Sequence, residues 1–459
     1  MNLNKKESEH KTVPERNTFR EFLLGRRGAQ TLTGYAMESE SVSLAGPRPA
    51  GHQIKADRVF RQQVKEQTAA AKRFGLLAVK TDQLPEHATP QDPEARVRRA
   101  ETLAGVVKQI CTHEKGIWGT IEDDIFGCCL PGSDIEASLA ISQEIQQQSS
   151  QLTNGSVSIG VAIYPMLDYD RGQIVENARK ALVHASFLGP ASVVAFDAVS
   201  LNISGDALYQ AGDVAGAAQE FERGLQVDPG EENLHNSLGV CYGVQGDQNK
   251  ALEAFEKVLK INPDNVMALH NTGYSKSILD DTEGALTCFR KAHELDDSLF
   301  EVAFHAGKLL VGADRLEEGK PFLEKAVEIN PDAGVGHYFL GECYRKMEHT
   351  DQAIQAYSAA VKRNPNDAGA LSALGSLYDE KGENPEISML FCEKGVELEP
   401  ENGLYLYRLG NVLLKHGKIP AALDMFEKAH TFGYEAADRI SAVKAELESC
   451  SCLDAHRQA

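Results

Sequence analysis

Glycine recurs at an almost constant interval in the second half of this chain, and this regularity limits what the chain can fold into. Gly205, Gly239, Gly273, Gly307, Gly341, Gly375 and Gly410 follow one another in five steps of 34 residues and a final step of 35. Pro229, Pro263, Pro331 and Pro365 keep the same register. Self-similarity at such a period predicts an array of small helical units that bury their apolar faces against one another.

Each unit contains the pattern of two short amphipathic helices. Around Gly239, Leu238 and Tyr242 lie four residues apart on one helical face, and the segment ALEAFEKVLKI carries a second such face. Because proline cannot continue a helix, Pro263 predicts the end of the second helix. The recurring glycine is expected where the two paired helices approach each other closely.

These units resemble the tetratricopeptide repeat (TPR) family. The resemblance covers seven units over residues 199–435, and it implies a right-handed α-solenoid whose concave groove is lined by the first helix of each unit. Two units depart from the family pattern, one with Gly319 and Leu323 where alanine and an aromatic residue are usual, and one with an extra residue between Lys381 and Glu386. Residues 436–459 have the polar composition of a capping helix followed by a tail.

One stripe of each first helix is expected to pack inward, and the neighbouring stripe to line the groove. The groove stripe mixes aromatic and polar side chains, as a peptide-binding surface does. We predict partner contacts at Asn236, His270, Tyr274, Phe304, Lys308, Tyr338, Glu342, Arg345, Tyr407 and Asn411. The candidate anchors are Tyr274, Tyr338, Arg345 and Tyr407, because aromatic and arginine side chains dominate binding energy in interfaces. The alternative for any one residue is that it only supports a neighbouring helix.

The net charge of −20 is concentrated in the repeats. Residues 201–459 contain 43 Asp and Glu against 24 Lys and Arg, whereas residues 1–200 contain 24 against 23. An acidic surface repels nucleic acid and anionic membranes, so the expected partners are proteins with basic or apolar segments. No apolar run approaches the ~20 residues of a membrane helix. We therefore expect no membrane insertion and a cytoplasmic location.

Residues 56–198 show alternating helix and strand patterns. RVFRQQVKEQTAAAKR and DIEASLAISQEIQQQSS have helical composition and spacing, whereas GLLAVKT and SVSIGVAIYP are short apolar strands. GTIEDDIFGCCLP predicts two strands around an acidic tip. The mixture predicts an α/β sandwich with an antiparallel central sheet, so the whole chain is multidomain, α/β followed by all-α.

Three of these segments resemble the GGDEF family, the diguanylate cyclases that join two GTP molecules into cyclic di-GMP. SVSIGVAIYP is similar to a late strand of that family, and ARKALVHASFLG is similar to the helix that follows it. IEDDIFGCCLP falls where the signature hairpin should be. The resemblance implies a GGDEF-like fold.

The residues at the signature positions differ from those that the family uses. Glu122 and Asp123 replace two glycines, Asp124 keeps the first acidic position, and Ile125 replaces a metal carboxylate. Phe126 is retained as a core residue. Glycine is needed there because the backbone must approach the nucleotide, so two carboxylates would fill the space and repel phosphate.

Other positions of that site are also replaced. The first-strand metal aspartate aligns with Lys80, or with Asp82 if the register shifts by two residues. The phosphate-binding lysine and arginine of the late helix correspond to Ser186 and Pro190. We therefore predict a vestigial, catalytically inactive hairpin with no cofactor. A solvated acidic turn is favoured over a weak Mg²⁺ or Ca²⁺ site.

Residues 1–55 are rich in charge, Ser, Gly and Pro, which predicts a flexible tail, with RNTFREFLLGRRGAQ as its one amphipathic piece. Gly205 already belongs to the first repeat, so almost no linker follows the α/β region. The two folded parts are expected to be held at a fixed angle.

These features favour a non-catalytic bacterial signalling scaffold, in which the TPR groove binds protein partners beside an inactive GGDEF-like domain. Two alternatives stay open. The domain could bind GTP or cyclic di-GMP as a sensor without turnover, or it could be an active diguanylate cyclase with an unusual site. Because these residues are replaced, we favour nucleotide sensing over catalysis, and the scaffold over both.

Overall fold

The computed structural model describes residues 53–82, 93–153, 155–382 and 384–457. The chain divides between Asn271 and Thr272 into two compact units, which are described one at a time. Most of the predicted tail, residues 1–52, lies outside the described residues. Its last three positions already belong to the first helix, Gln53–Gln67.

The first unit begins with a five-stranded sheet and its helices. The elements are α1 (Gln53–Gln67), β1 (Phe74–Thr81), α2 (Pro93–His113), β2 (Ile117–Glu122), β3 (Ile125–Pro131), α3 (Ile135–Thr153), β4 (Val157–Tyr164), α4 (Ile174–Leu188) and β5 (Val193–Ala195). Across the sheet the strands follow the order β2-β3-β1-β4-β5.

The sheet is antiparallel except at one edge. Strand β1 lies in the centre and pairs antiparallel with both β3 and β4, so that Lys80 stands opposite Ile125 on one side and Ser158 on the other. The short strand β5 instead runs parallel to β4. A parallel neighbour needs a crossover connection, and helix α4 supplies it. The expectation of an antiparallel sheet is therefore wrong for this edge strand.

Both faces of the sheet are covered by helices. Because side chains alternate along a strand, Leu76 points into a core with Phe60 of α1, and Leu77 points into a second core with Val107 of α2 and Ile145 of α3. Helix α4 covers the same face as α1. All five of these side chains are at most 1% exposed.

The same unit continues into paired helices. They are α5 (Ala198–Gln210), α6 (Val214–Val227), α7 (Glu232–Val244) and α8 (Gln248–Ile261), followed by α9 (Val266–Ile278), in which the first unit ends. The first pair shares a core with the sheet: Leu201 of α5 is fully buried in the cluster formed by α1, α4 and the sheet, and Val227 of α6 packs against it.

In the second unit the described residues after α9 are helical pairs and one longer last helix. These helices are α10 (Thr282–Leu295), α11 (Phe300–Gly312), α12 (Leu316–Ile329), α13 (Gly334–Lys346), α14 (Thr350–Arg363), α15 (Ala368–Lys381), α16 (Pro385–Leu398), α17 (Gly403–Lys415), α18 (Ile419–Thr431) and α19 (Ala437–Arg457). The predicted helical repeat array is confirmed. The last helix contributes buried Val443 to the core that Phe426 of α18 forms.

The recurring glycine marks the closest approach of two paired helices. A Cβ on Gly239 would lie 2.5 Å from the ring of Phe255, and a Cβ on Gly410 would lie 2.6 Å from that of Phe426. In the repeat that departs from the family pattern, Leu323 takes the place of the aromatic ring, and a Cβ on Gly307 would lie 2.6 Å from it. A larger residue at these positions would force the helices apart, which explains the regular glycines.

Within the part of the chain that the structure describes, no helix has the length and apolar character needed to cross a bilayer.

Candidate functional site

The acidic hairpin lies at the turn between β2 and β3. Glu122 and Asp123 are exposed and Asp124 is half-buried, whereas Ile125 and Phe126 are 5% and 6% exposed. Ile125 packs into the core on one face of the sheet and Phe126 into the core on the other. The two apolar signature residues therefore stabilise the sheet, and only the three acids are available to solvent.

The structure brings Lys80 and Asp124 together. The Nζ atom of Lys80, near the end of the neighbouring strand β1, lies 3.3 Å from a carboxylate oxygen of Asp124. The lysine side chain is 40% exposed and the aspartate side chain 21%. An ammonium group thus stands beside the acidic turn, at the position that the GGDEF resemblance assigns to a metal-binding aspartate.

The alternative position, Asp82, makes hydrogen bonds elsewhere in the sheet region. Its carboxylate accepts hydrogen bonds from the hydroxyl of Ser158 at 2.5 Å and from the backbone N–H of Ala191 at 2.8 Å. These bonds tie the end of β1 to β4 and to the segment before β5. Asp82 therefore has a structural role.

Glu122 lies at the edge of a small charged cluster. Its carboxylate is 3.9 Å from the guanidinium of Arg179, which pairs more closely with Glu176 of the same helix. Burial alone would raise the pKa of Glu176, but Arg179 and Arg61 lower it to about 2. Arg179 is thus engaged with Glu176 as well as with the hairpin, and Arg61 pairs with Glu176.

The remaining predicted site positions lie in the last turn of α4 and just beyond it. The hydroxyl of Ser186 donates a hydrogen bond to the backbone carbonyl of Val183 on its own helix, and Pro190 is exposed. Among the described residues, no three His, Cys, Asp or Glu side chains are arranged to hold a metal ion.

Three of the ten predicted groove residues are buried instead of facing a groove. Asn236, His270 and Phe304 are 3%, 0% and 7% exposed. The side-chain oxygen of Asn236 accepts a hydrogen bond of 2.9 Å from Asn271 on the next first helix, and burial lowers the pKa of His270 to about 4. Their place in the groove stripe is a wrong prediction, because these side chains have almost no surface left for a partner to contact.

The other seven predicted positions are at least partly accessible. Lys308 is exposed, and Tyr274, Tyr338, Glu342, Arg345, Tyr407 and Asn411 are half-buried. All seven belong to the second unit. The four candidate anchors are thus accessible, although none of them projects freely into solvent.

Aromatic rings in the second unit form a continuous series of contacts across the first helices, which we call the aromatic ladder. Ring centroids lie 5.1 Å apart in Tyr274–His305, 5.3 Å in Phe304–His305, 5.6 Å in Phe304–Phe339 and 5.2 Å in Tyr338–Phe339. The exposed ammonium of Lys308 lies 5.3 Å from the ring centre of Phe339, within cation–π range. The ladder therefore forms a rigid apolar layer on the first helices of the second unit, with the positive charge of Lys308 beside it.

At the end of the ladder, Glu342 and Arg345 form an ion pair on α13. The guanidinium of Arg345 lies 2.9 Å from one carboxylate oxygen of Glu342, and the hydroxyl of Tyr357 donates to the other. Burial would raise the pKa of Glu342, but the nearby guanidinium groups of Arg345 and Arg408 lower it. Glu342 therefore stays ionised although it is largely buried.

Sequence reasoning missed Phe339 and Arg408, which both lie next to predicted groove residues. Each directly follows a tyrosine of the groove stripe, Tyr338 or Tyr407. The two occupy the same place in their repeats, two positions before the recurring glycine. That shared place is the signal that could have identified them, since it also holds the buried His305 and Asn271.

Comparison with known families identifies the repeats. Two family models, both described as tetratricopeptide repeat, match residues 233–265 and 310–377. Among curated proteins, the chain is 30% identical over 108 residues to "Protein CTR9 homolog" of Arabidopsis thaliana, which is 23% of this chain and 10% of that protein. It is 33% identical over 84 residues to "Hsp70-Hsp90 organizing protein 3" of the same plant, or 18% and 15% of the two chains.

The matching segments are short relative to those proteins, since the chain spans 10% and 15% of the length of the two curated relatives. Among solved structures, a tetratricopeptide repeat protein from Parabacteroides merdae ATCC 43184 is 18% identical with a TM-score of 0.41, over 54% of this chain and 96% of that one. Together with the paired helices described above, the family matches establish that the C-terminal part of this chain contains tetratricopeptide repeats.

Proposed function

We propose that this chain is a non-catalytic scaffold that binds protein partners along the first helices of its repeats. Tetratricopeptide repeats indicate a role in protein interaction. The observation that carries the proposal is the set of partly accessible rings in the aromatic ladder, Tyr274, Tyr338 and Phe339, which lie near the Glu342–Arg345 pair of the same unit. Rigid aromatic side chains beside a few charged groups supply most of the binding energy in protein interfaces.

The sheet region is proposed to be an inactive GGDEF-like domain. The antiparallel core β2-β3-β1-β4 hosts many unrelated functions, so its chemistry has to be argued from the site. The contact between Lys80 and Asp124 supports inactivity, because an ammonium group neutralises the carboxylate and repels the divalent cation that phosphoryl chemistry needs. The burial of Ile125 supports it too, since no carboxylate is present at that position.

A matched pair of triple variants tests the scaffold. The groove variant carries Tyr274→Ser, Tyr338→Ser and Tyr407→Ser, and the control carries Glu253→Ser, Lys257→Ser and Lys428→Ser on exposed surfaces of second helices. Each is used as bait in native extract, after circular dichroism has shown that the helices are retained. We expect proteins captured by wild type and control to be lost from the groove variant. Retention of every captured protein by the groove variant would contradict the proposal.

Titration calorimetry with GTP and Mg²⁺, and separately with cyclic di-GMP, tests the sheet region. We expect no heat of binding up to millimolar nucleotide. Binding without product formation would favour a nucleotide sensor. Formation of cyclic di-GMP that Asp124→Ala abolishes would instead identify an active cyclase.

A further inference from the structure

The exposed face of α16 is apolar at two positions where other second helices are polar. Ile387 is 40% exposed and Leu390 59%. They lie three residues apart, so both side chains belong to one face of the helix, which we call the exposed stripe. Counted from the residue that packs under the recurring glycine, the equivalent positions hold exposed Lys250 and Glu253 in α8 and exposed Gln352 and Gln355 in α14.

Acidic side chains border the exposed stripe. Glu386 lies four residues before Leu390 and Glu393 three residues after it, so all three share one side of α16, and both glutamates are exposed. The helix contains one further acid, Glu397, and one cation, Lys394, which pair with each other at 3.0 Å. Symmetric pairing with a second copy would bring like charges together, so the charge favours a basic occupant.

The sequence contains a segment of matching chemistry, RNTFREFLLGRRGAQ, residues 16–30, which lies outside the described residues. Phe19, Phe22 and Leu23 have the i, i+3, i+4 spacing of one helical face. Four arginines against one glutamate give the segment a net charge of +3. Its apolar face is therefore complementary to the exposed stripe, and its arginines to the bordering glutamates.

The segment is joined to the described structure by a long stretch of chain. Residues 31–52 separate it from the first helix, which begins at Gln53. Extended, these residues reach roughly 75 Å. A covalent link raises the local concentration of the segment around its own chain, which favours binding within the chain over binding to a second copy.

We propose that residues 16–30 bind the exposed stripe of α16 in their own chain as a basic amphipathic helix. The apolar face of the segment covers Ile387 and Leu390, and its arginines pair with Glu386 and Glu393. The site lies on a second helix, so this inference goes beyond the proposed binding of partners along the first helices.

Photo-cross-linking in the full chain tests the contact. The photoreactive residue p-benzoylphenylalanine replaces Phe22 on the apolar face of the segment, and in a control chain it replaces Glu21 on the opposite face. Trypsin releases the exposed stripe as residues 382–394, because lysines stand at 381 and 394. We expect mass spectrometry to show this peptide joined to position 22. Absence of the product, or an equal yield from position 21, would overturn the proposal.

A matched pair of double variants locates the site. Ile387→Ser with Leu390→Ser removes the exposed stripe, and Gln352→Ser with Gln355→Ser changes the equivalent exposed positions of α14. We expect the first pair to lower the cross-link yield from position 22 at least about tenfold, because the apolar contact is lost, and the second to leave it unchanged. Circular dichroism checks that both keep their helices. An undiminished yield in the first pair would overturn the proposal.

The charges have their own test. Glu386→Gln with Glu393→Gln keeps the shape of both side chains and should lower the yield about threefold, since exposed ion pairs contribute little individually. An unchanged yield would overturn the pairing of these glutamates with the arginines.

The mass of the cross-linked product identifies the source of the segment. We expect denaturing electrophoresis to show a product with the mass of one chain. A product with the mass of two chains would overturn the assignment to the same chain. Capture of proteins by the Tyr274, Tyr338 and Tyr407 variant tests the first helices alone, so the proposed function and this inference can fail separately.

Discussion

Two buried side chains of opposite charge stand out at the scale of single residues, one in each unit. Arg408 is the cation in the second unit. In the first unit Asp206 of α5 is 5% exposed, and its Oδ1 atom has no hydrogen-bond partner in the described structure. Its Oδ2 accepts only a long hydrogen bond, 3.4 Å, from Asn202. Burial raises the pKa of Asp206 from 3.8 to about 7.

We expect Asp206 to destabilise the first unit as the pH rises. Its pKa is higher in the folded state than in the unfolded state, so between about pH 4 and pH 7 the folded protein binds more protons and stability falls with pH. Above that window the loss amounts to at most about 4 kcal/mol. Asp206→Asn should remove it, because the neutral amide needs no proton.

Urea unfolding near pH 4 and near pH 8 measures this effect. The variant should match wild type at the acidic end and be more stable at the alkaline end. Asp213→Asn, an exposed aspartate just beyond the same helix, is the control for loss of one negative charge. Parallel pH profiles of wild type and Asp206→Asn would mean that the carboxyl group is not perturbed by burial.

At the scale of elements, the second helices of the early repeats share a cap that the later ones lack. Asp213, Asp247 and Asp281 each accept a hydrogen bond from the backbone N–H three residues later, at the starts of α6, α8 and α10. Helices α12 and α14 begin after Arg315 and His349, and neither side chain makes such a bond. The backbone at His349 nevertheless already has the conformation of a capping residue: φ and ψ are −86° and 69° at His349, against −86° and 73° at Asp247.

His349→Asp should therefore stabilise the second unit. The new carboxylate can satisfy an N–H group that helix α14 leaves without an intrahelical partner, which is worth about 1 kcal/mol. Urea unfolding followed by far-ultraviolet circular dichroism measures the gain. Asp247→Ala, which removes an existing cap of the same geometry, should cost a similar amount. No gain in His349→Asp beside a clear loss in Asp247→Ala would show that something other than the cap limits α14.

Some sequence patterns predicted the structure correctly and others did not, because each pattern reflects a different physical property of the fold. The 34-residue period predicted the helical array because the glycines report a packing distance, as Gly239 and Phe255 show. Helical spacing indicated the direction of a stripe but not how deeply its side chains are buried, so Asn236 and His270 were misplaced. The alternating apolar pattern predicted strands, yet a strand of three residues such as Val193–Ala195 carries no signal for its pairing direction.

At the scale of the whole molecule, the first unit joins the sheet and the first repeat into one packed body. Lys180 of α4 and Glu220 of α6 form an ion pair of 2.5 Å in which both side chains are nearly buried. The guanidinium of Arg223 lies 4.7 Å from the ring centre of Tyr169. In each of these two contacts, one residue precedes the predicted domain boundary between residues 198 and 199 and the other follows it. The sheet and the first repeat are therefore expected to unfold together.

Phe221→Ala tests that cooperativity, because Phe221 packs under Gly205 in the first repeat and the single tryptophan, Trp118, lies in the sheet. The truncation leaves a cavity in the repeat worth about 3–5 kcal/mol. If the sheet and the repeat form one folding unit, the Trp118 fluorescence transition in urea should shift to lower concentration, although the substitution lies outside the sheet. Gln219→Ala, on the exposed side of the same helix, should leave it in place. An unchanged Trp118 transition in Phe221→Ala, with helix content already lost at lower urea, would mean that the sheet folds independently and that the shared core around Leu201 is a contact between separate domains.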